Sequence, residues 1–118
     1  MRVHANDGVS AQAKESLVEE GFKVTTDHVP QDRLQAYLNK EKVDVLLVRS
    51  ATKVRQDLID ACPNLKLIGR GGVGMDNIDV AYARSKGLTV INTPASSSIS
   101  VAELVMAHLF GMMRNLHK

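Results

Sequence analysis

Residues 43–48 read Val-Asp-Val-Leu-Leu-Val, six positions with one charge among them. A run that short and that apolar has no wet face. It suits a strand buried on both sides, as strands are in the middle of a parallel sheet. Parallel neighbours need crossover connections, so helices are expected before and after it. The surrounding sequence supplies them. Residues 3–5 form a short apolar stretch that stops at the turn signal Asn6-Asp7-Gly8. Ser10 is placed to cap a helix reaching about Glu20, with Ala13, Leu17 and Val18 as its apolar stripe and Gly21 as its stop. Residues 22–25 read as a second strand, and Pro30 opens a helix carrying Leu34, Tyr37 and Leu38. After residues 43–48 come a helix over 54–61 that ends before Pro63, a strand over 65–68, a helix from an Asp79 cap to Lys86 closed by Gly87, and a strand over 88–91. The expected fold class is α/β: a flavodoxin-like, parallel five-stranded sheet with helices on both faces and right-handed crossovers.

Residues 100–116 break this rhythm. Val101, Ala102, Leu104, Val105, Met106, Ala107, Leu109, Phe110, Met112, Met113 and Leu116 leave no polar face, so the segment reads as a long apolar C-terminal helix that something must cover. Four earlier helices already suffice for the sheet. The expected organisation is therefore a domain over residues 1–97 and a crossover helix over 98–118, seated on another domain or on its own copy in a homodimer.

Composition excludes several function classes. The chain has 118 residues, room for one domain with a core. Its formal net charge is +2, without the clustered basic face that nucleic acid needs. No stretch reaches the ~20 apolar residues of a membrane span, and the N-terminus lacks an apolar signal region. Cys62 is the single cysteine, which forbids an intrachain disulfide and fits a reducing, cytoplasmic setting. It reads as a small core residue rather than a nucleophile. His4, His28, His108 and His117 are scattered, with no metal-ligand spacing among them.

Chemistry is expected where parallel strands end at their carboxyl edge. The third strand runs into Arg49-Ser50-Ala51-Thr52-Lys53, and the fourth into Gly69-Arg70-Gly71-Gly72-Val73-Gly74. One arginine there would read as a solvated surface group. Two at consecutive strand ends, one within a glycine-rich segment, point to an anion site, because guanidinium grips carboxylate or phosphate with two donors. The glycines would let backbone N–H groups join in. The same segment matches G-x-G-x-x-G, the dinucleotide fingerprint. Yet the acid expected roughly 20 residues further on is missing, since Asn92-Thr93 stands there. The dinucleotide reading is therefore disfavoured, and no residue is assigned to cofactor binding, to metal or to catalysis.

Three segments, taken together, resemble the D-2-hydroxyacid dehydrogenases, and among them the phosphoglycerate dehydrogenases. They are Val48-Arg49-Ser50-Ala51-Thr52-Lys53-Val54; Ile68-Gly69-Arg70-Gly71-Gly72-Val73-Gly74-Met75-Asp76-Asn77-Ile78-Asp79; and Val90-Ile91-Asn92-Thr93-Pro94 followed by Ser100-Val101-Ala102-Glu103-Leu104. They stand in the family's order and spacing, and the likeness is strongest from Val43 onward. It implies a flavodoxin-like substrate domain beside a separate NAD-binding Rossmann domain whose fingerprint follows Lys118. By this resemblance Arg49 and Ser50 contact the phosphate or carboxylate of a small anionic substrate. Arg70 borders the cleft, and Gly72, Val73 and Gly74 present N–H groups to the carboxylate. Ser97 stands where the family often has asparagine. The family's catalytic histidine, its paired glutamate and a second arginine match no residue here, so the chain alone is expected to be inactive. The implied reaction is NAD-dependent oxidation of D-3-phosphoglycerate to 3-phosphohydroxypyruvate, a step toward L-serine. The alternatives are a parent enzyme for glyoxylate, hydroxypyruvate or D-lactate, or a stand-alone anion-binding or self-associating module.

Overall fold

A computed structural model describes residues 2–8, 11–49, 51–71 and 77–93. Five strands and four helices alternate along them: β1 (Arg2–Ala5), α1 (Ala11–Glu19), β2 (Lys23–Thr25), α2 (Gln31–Lys40), β3 (Val45–Val48), α3 (Gln56–Ala61), β4 (Leu67–Gly71), α4 (Val80–Ser85) and β5 (Thr89–Thr93). The strands form one sheet in the order β2-β1-β3-β4-β5, and every pairing is parallel. The expected α/β class and five-stranded parallel sheet are thus observed. The expected apolar helix over 98–118, the domain boundary beside it and the Ser10 cap lie outside the described residues. Among the described residues no helix is long and apolar enough to cross a membrane.

β3 is buried at all four positions, as its composition requires. Alternation sends its side chains to two separate cores. Val45 and Leu47 join Val3, Ala5, Leu67 and Ile91 on one face, where Leu17 of α1 covers them. Leu46 and Val48 join Ile68 and Val90 on the other, beneath Leu34 and Leu38 of α2, Leu58 and Ile59 of α3, and Ala83 of α4. Helices therefore lie on both faces. Cys62 belongs to the second core, and burial pushes its thiol up to about 11, which suits a packing residue.

Three helices stop by one device. Past α1, Gly21 N–H donates to Val18 O and Phe22 N–H to Leu17 O. Past α4, Gly87 donates to Arg84 O and Leu88 to Ala83 O; past α2, Lys42 donates to Asn39 O and Val43 to Leu38 O. This is the Schellman motif, whose pivotal residue takes a left-handed conformation. Gly21 (φ 94°) and Gly87 (φ 87°) adopt it without a Cβ penalty, whereas Lys42 (φ 51°) does not. Each stop also delivers an apolar residue, Phe22, Val43 or Leu88, into a core just before the next strand.

Two expectations change. The helix read over 54–61 begins later, at Gln56, because Val54 makes a parallel bridge with Ile78. Asp79 does precede α4, but its carboxylate makes no cap bond there. It accepts instead from the backbone N–H of Gln56, the first residue of α3 (3.1 Å), and from the Arg55 guanidinium (3.1 Å). The Val54–Ile78 bridge brings the two helix starts together, and the carboxylate serves the neighbouring one.

The interior of β1 contains one titratable ring. His4 is fully buried and lies against Tyr37 with ring centroids 4.7 Å apart. Its Nδ1 is 2.7 Å from Thr25 Oγ1 and its Nε2 is 3.0 Å from Asn6 Oδ1. Asn6 Oδ1 also accepts from Val29 N–H, which identifies it as the amide oxygen, so Nε2 carries the proton and Nδ1 accepts from the threonine hydroxyl. Loss of hydration on burial pulls the His4 pKa below its ordinary 6.5, against smaller opposing effects of the Asn6 hydrogen bond and Asp27.

Two outcomes test these features. Replacing Lys42 by glycine removes the strained left-handed Cβ and should raise stability in urea by about 1 kcal/mol; an unchanged midpoint would show no strain there. The unfolded chain protonates His4 more readily than the folded one. The stability it contributes is complete above pH 6.5 and falls as pH drops through and below that value. Urea midpoints at pH 7.5 and 5 should therefore differ less in His4→Gln than in the parent, and equal differences would refute the assignment.

Candidate functional site

In the order β2-β1-β3-β4-β5 the chain leaves β1 toward one edge and later returns on its other side to make β3. The crevice beyond the carboxyl ends of β1 and β3 is the place where such sheets bind ligands. Asn6 and Asp7 lie at the end of β1, and residues 49–52 at the end of β3.

These two ends are tied by side chains. Asn6, almost fully buried, donates through Nδ2 to Val29 O (3.1 Å) and to Thr52 Oγ1 (2.8 Å). The Thr52 hydroxyl donates onward to Asp7 Oδ1 (2.7 Å). With the His4 bonds, this gives one directed chain, Thr25 to His4 to Asn6 to Thr52 to Asp7, crossing from β2 to the loop after β3. Asp7 Oδ2 also accepts from the backbone N–H groups of Arg49 (2.7 Å) and Thr52 (3.1 Å). Asn77 Nδ2 donates to Arg49 O and Thr52 O, both at 2.6 Å. Gln31 at the start of α2 pairs with both backbone groups of Lys53.

Within that frame the Arg49 side chain is exposed and makes no ion pair among the described residues. Arg70 lies one strand over, opposite Val48 and Asn92, and its Nε is buried with no hydrogen-bond partner. An unpaired buried donor costs about 1–3 kcal/mol. Two guanidinium groups without counter-charge on adjacent strand ends form a place where an anion would be favoured. The structure thus brings Arg49 and Arg70 to one edge of the sheet. Ser50, Gly72, Val73, Gly74 and Ser97, the other expected contacts, lie outside the described residues.

The glycine pattern receives a correction. Gly69, Arg70 and Gly71 are not a loop after the fourth strand; they are its last three residues, paired in register with Ile91, Asn92 and Thr93. A Cβ on Gly69 would stand 2.8 Å from Leu47 Cδ2. Without a Cβ at Gly69 the Leu47 side chain of the neighbouring strand packs close over the backbone. The dinucleotide fingerprint requires its first glycine in the tight turn beyond the strand, so Gly69 and Gly71 do not furnish that turn.

Asn6, Asp7, Thr52 and Asn77 were not legible as site residues. Asn6-Asp7-Gly8 reads as a turn, and it is one: Gly8 N–H donates to Ala5 O with φ 83°. A switch-point argument applied to the end of β1 would have singled out the first two. Nothing local in the sequence marks Thr52 or Asn77.

Comparison with known proteins agrees with the geometry. Residues 3–113 match the family described as D-isomer specific 2-hydroxyacid dehydrogenase, catalytic domain. The chain is 47% identical over 116 residues to a hydroxypyruvate reductase of Thermotoga maritima, covering 98% of this chain and 37% of that protein. It is 45% identical over 107 residues to a D-3-phosphoglycerate dehydrogenase of Methanocaldococcus jannaschii, covering 85% of this chain and 20% of that protein. Among solved structures, the TT0316 protein of Thermus thermophilus superposes with a TM-score of 0.73 at 25% identity, over 98% of this chain and 38% of that one. An NAD+-bound 3-phosphoglycerate dehydrogenase of Entamoeba histolytica superposes with a TM-score of 0.66 at 25% identity, over 80% of this chain and 33% of that one. The chain spans 20% to 37% of the length of the two sequence relatives. On the match over residues 3–113 and these identities, the chain belongs to the D-isomer specific 2-hydroxyacid dehydrogenase family.

Proposed function

We propose that this chain is the substrate-binding part of an NAD-dependent D-2-hydroxyacid dehydrogenase, and that it holds the acid without performing the redox step. The observation that carries the reading is the pair Arg49 and Arg70, neither with a counter-charge among the described residues, at the edge where parallel sheets bind ligands. Arg49 and Ser50 hold the phosphate or carboxylate. Arg70 borders the cleft, and the N–H groups of Gly72, Val73 and Gly74 complete the carboxylate cradle, with Ser97 beside the crossover. In such an enzyme a hydride passes between C2 of the acid and nicotinamide. Gly69 and Gly71 sit within a strand and do not furnish the dinucleotide turn, which supports a reading in which a separate domain binds the cofactor. This chain orients the substrate and neutralises its charge.

D-3-phosphoglycerate is the preferred substrate, because two unpaired cations suit a molecule with both phosphate and carboxylate. The likeness to a hydroxypyruvate reductase supports a second reading, in which the acid carries no phosphate. We also propose a homodimer joined through the apolar segment 98–118, on the strength of that segment's sequence, and a cytoplasmic setting, on the strength of the single cysteine.

Titration of the 15N-labelled chain distinguishes the two substrates. Under the first reading D-3-phosphoglycerate should bind about tenfold or more tightly than D-glycerate, since charge-assisted hydrogen bonds contribute about 1.5–3 kcal/mol each. Arg49→Ala should remove most of that preference. Equal binding of the two acids favours the hydroxypyruvate reading, and no shift near Arg49 or Arg70 with either acid defeats both.

A further inference from the structure

Arg49 and Thr52 bracket the loop that carries the first arginine, and each has its backbone N–H and C=O occupied by side chains of other elements. Asp7 takes both N–H groups. Asn77 takes both C=O groups. Loop backbone at a surface is ordinarily satisfied by water, which leaves its conformation free. Here four backbone groups are fixed by two side chains, one from the end of β1 and one from the segment before α4.

Both side chains are poorly placed for stability alone. The Asp7 side chain is only 5% exposed, and the exposed ring of His28 stands 3.8 Å from its Oδ1. Its hydration is replaced by two backbone N–H groups and one hydroxyl. Asn77 is 8% exposed, and its Oδ1 is buried with no partner. The amide cannot turn to relieve this, because Oδ1 would then face two carbonyl oxygens. An unsatisfied buried acceptor costs about 1–3 kcal/mol. A chain that keeps such a group in order to grip two carbonyls retains loop geometry at the expense of stability.

We propose that Asp7 and Asn77 are positioning residues that hold the Arg49 loop in its acid-binding conformation. They act through the backbone of Arg49 and Thr52 and do not touch the ligand. This rests on the reading of Arg49 as an acid-binding residue. It adds two residues that reach the ligand through the backbone of that loop.

A double-mutant cycle on the intact 118-residue chain tests it, with affinity for D-3-phosphoglycerate read by 15N NMR. Asn77→Ala and Asp7→Asn should each weaken binding about fivefold or more, by freeing a loop whose ordering the parent has already completed. In the Arg49→Ala background the Asn77 change should have no further effect, because its route to the ligand is gone. A merely structural residue would weaken binding by the same factor in both backgrounds, or not at all, and either result overturns the proposal. Asp7→Asn in the same two backgrounds gives the same decision if Asn77→Ala does not fold. If Arg49→Ala binds like the parent, the acid-site reading fails, and the positioning role falls with it. If Arg49→Ala weakens binding and the clamp variants do not, only the positioning role fails.

Discussion

The structure depends on the double-sided burial of β3. In register, Val45 stands between Val3 and Leu67, Leu46 between His4 and Ile68, and Leu47 between Ala5 and Gly69. The strand has no face to give to water, so helices must cover the sheet on both sides. Leu47 shows how close the fit is. Its in-register neighbours are small, and a single methyl added at Gly69 would press on its side chain at 2.8 Å.

The same parallel arrangement determines where chemistry can occur. All five strands point their carboxyl ends to one edge, so the ends of β1, β3 and β4 lie side by side although they are far apart in sequence. At that edge the interior changes character, from close-packed apolar side chains to a directed chain of hydrogen bonds, buried at its centre, running from Thr25 through His4, Asn6 and Thr52 to Asp7. Buried polar groups are tolerable only when partnered. Two here are not, Arg70 Nε and Asn77 Oδ1, and both belong to the arginine-bearing edge. An unpaired guanidinium donor there is what an anion-binding surface would leave open, while the unpaired Asn77 acceptor is the cost of its grip on two carbonyls.

Much of the fold was legible from local pattern. The apolar run of residues 43–48 announced a doubly buried strand, and Gly21 and Gly87 announced helix ends. Lys42 did not, because a lysine carries no sign of left-handed backbone; the tertiary position of Val43 in the core holds it there. Asp79 was legible as a helix cap but assigned to the wrong helix. A carboxylate just before α4 is closer in sequence to that helix, and only the Val54–Ile78 bridge reveals that α3 begins nearer to it. Of the candidate site, the two arginines could be read from their places after strands. The residues that hold one of them could not, since Asn6-Asp7 looks like a turn and Asn77 like part of a loop.

The sequence by itself determined the alternation of strands and helices, the burial of β3 and the presence of cationic groups at strand ends, because periodicity and residue type act over a few positions at a time. Only the tertiary structure decided that Gly69 serves packing rather than a nucleotide. It alone showed that Asp7 and Asn77 grip the N–H and C=O groups of one loop, and that Arg49 and Arg70 stand at neighbouring strand ends. The physical reason is that each of these depends on which strands pair and in what register. Such pairings join residues tens of positions apart, and no local pattern in the chain encodes them.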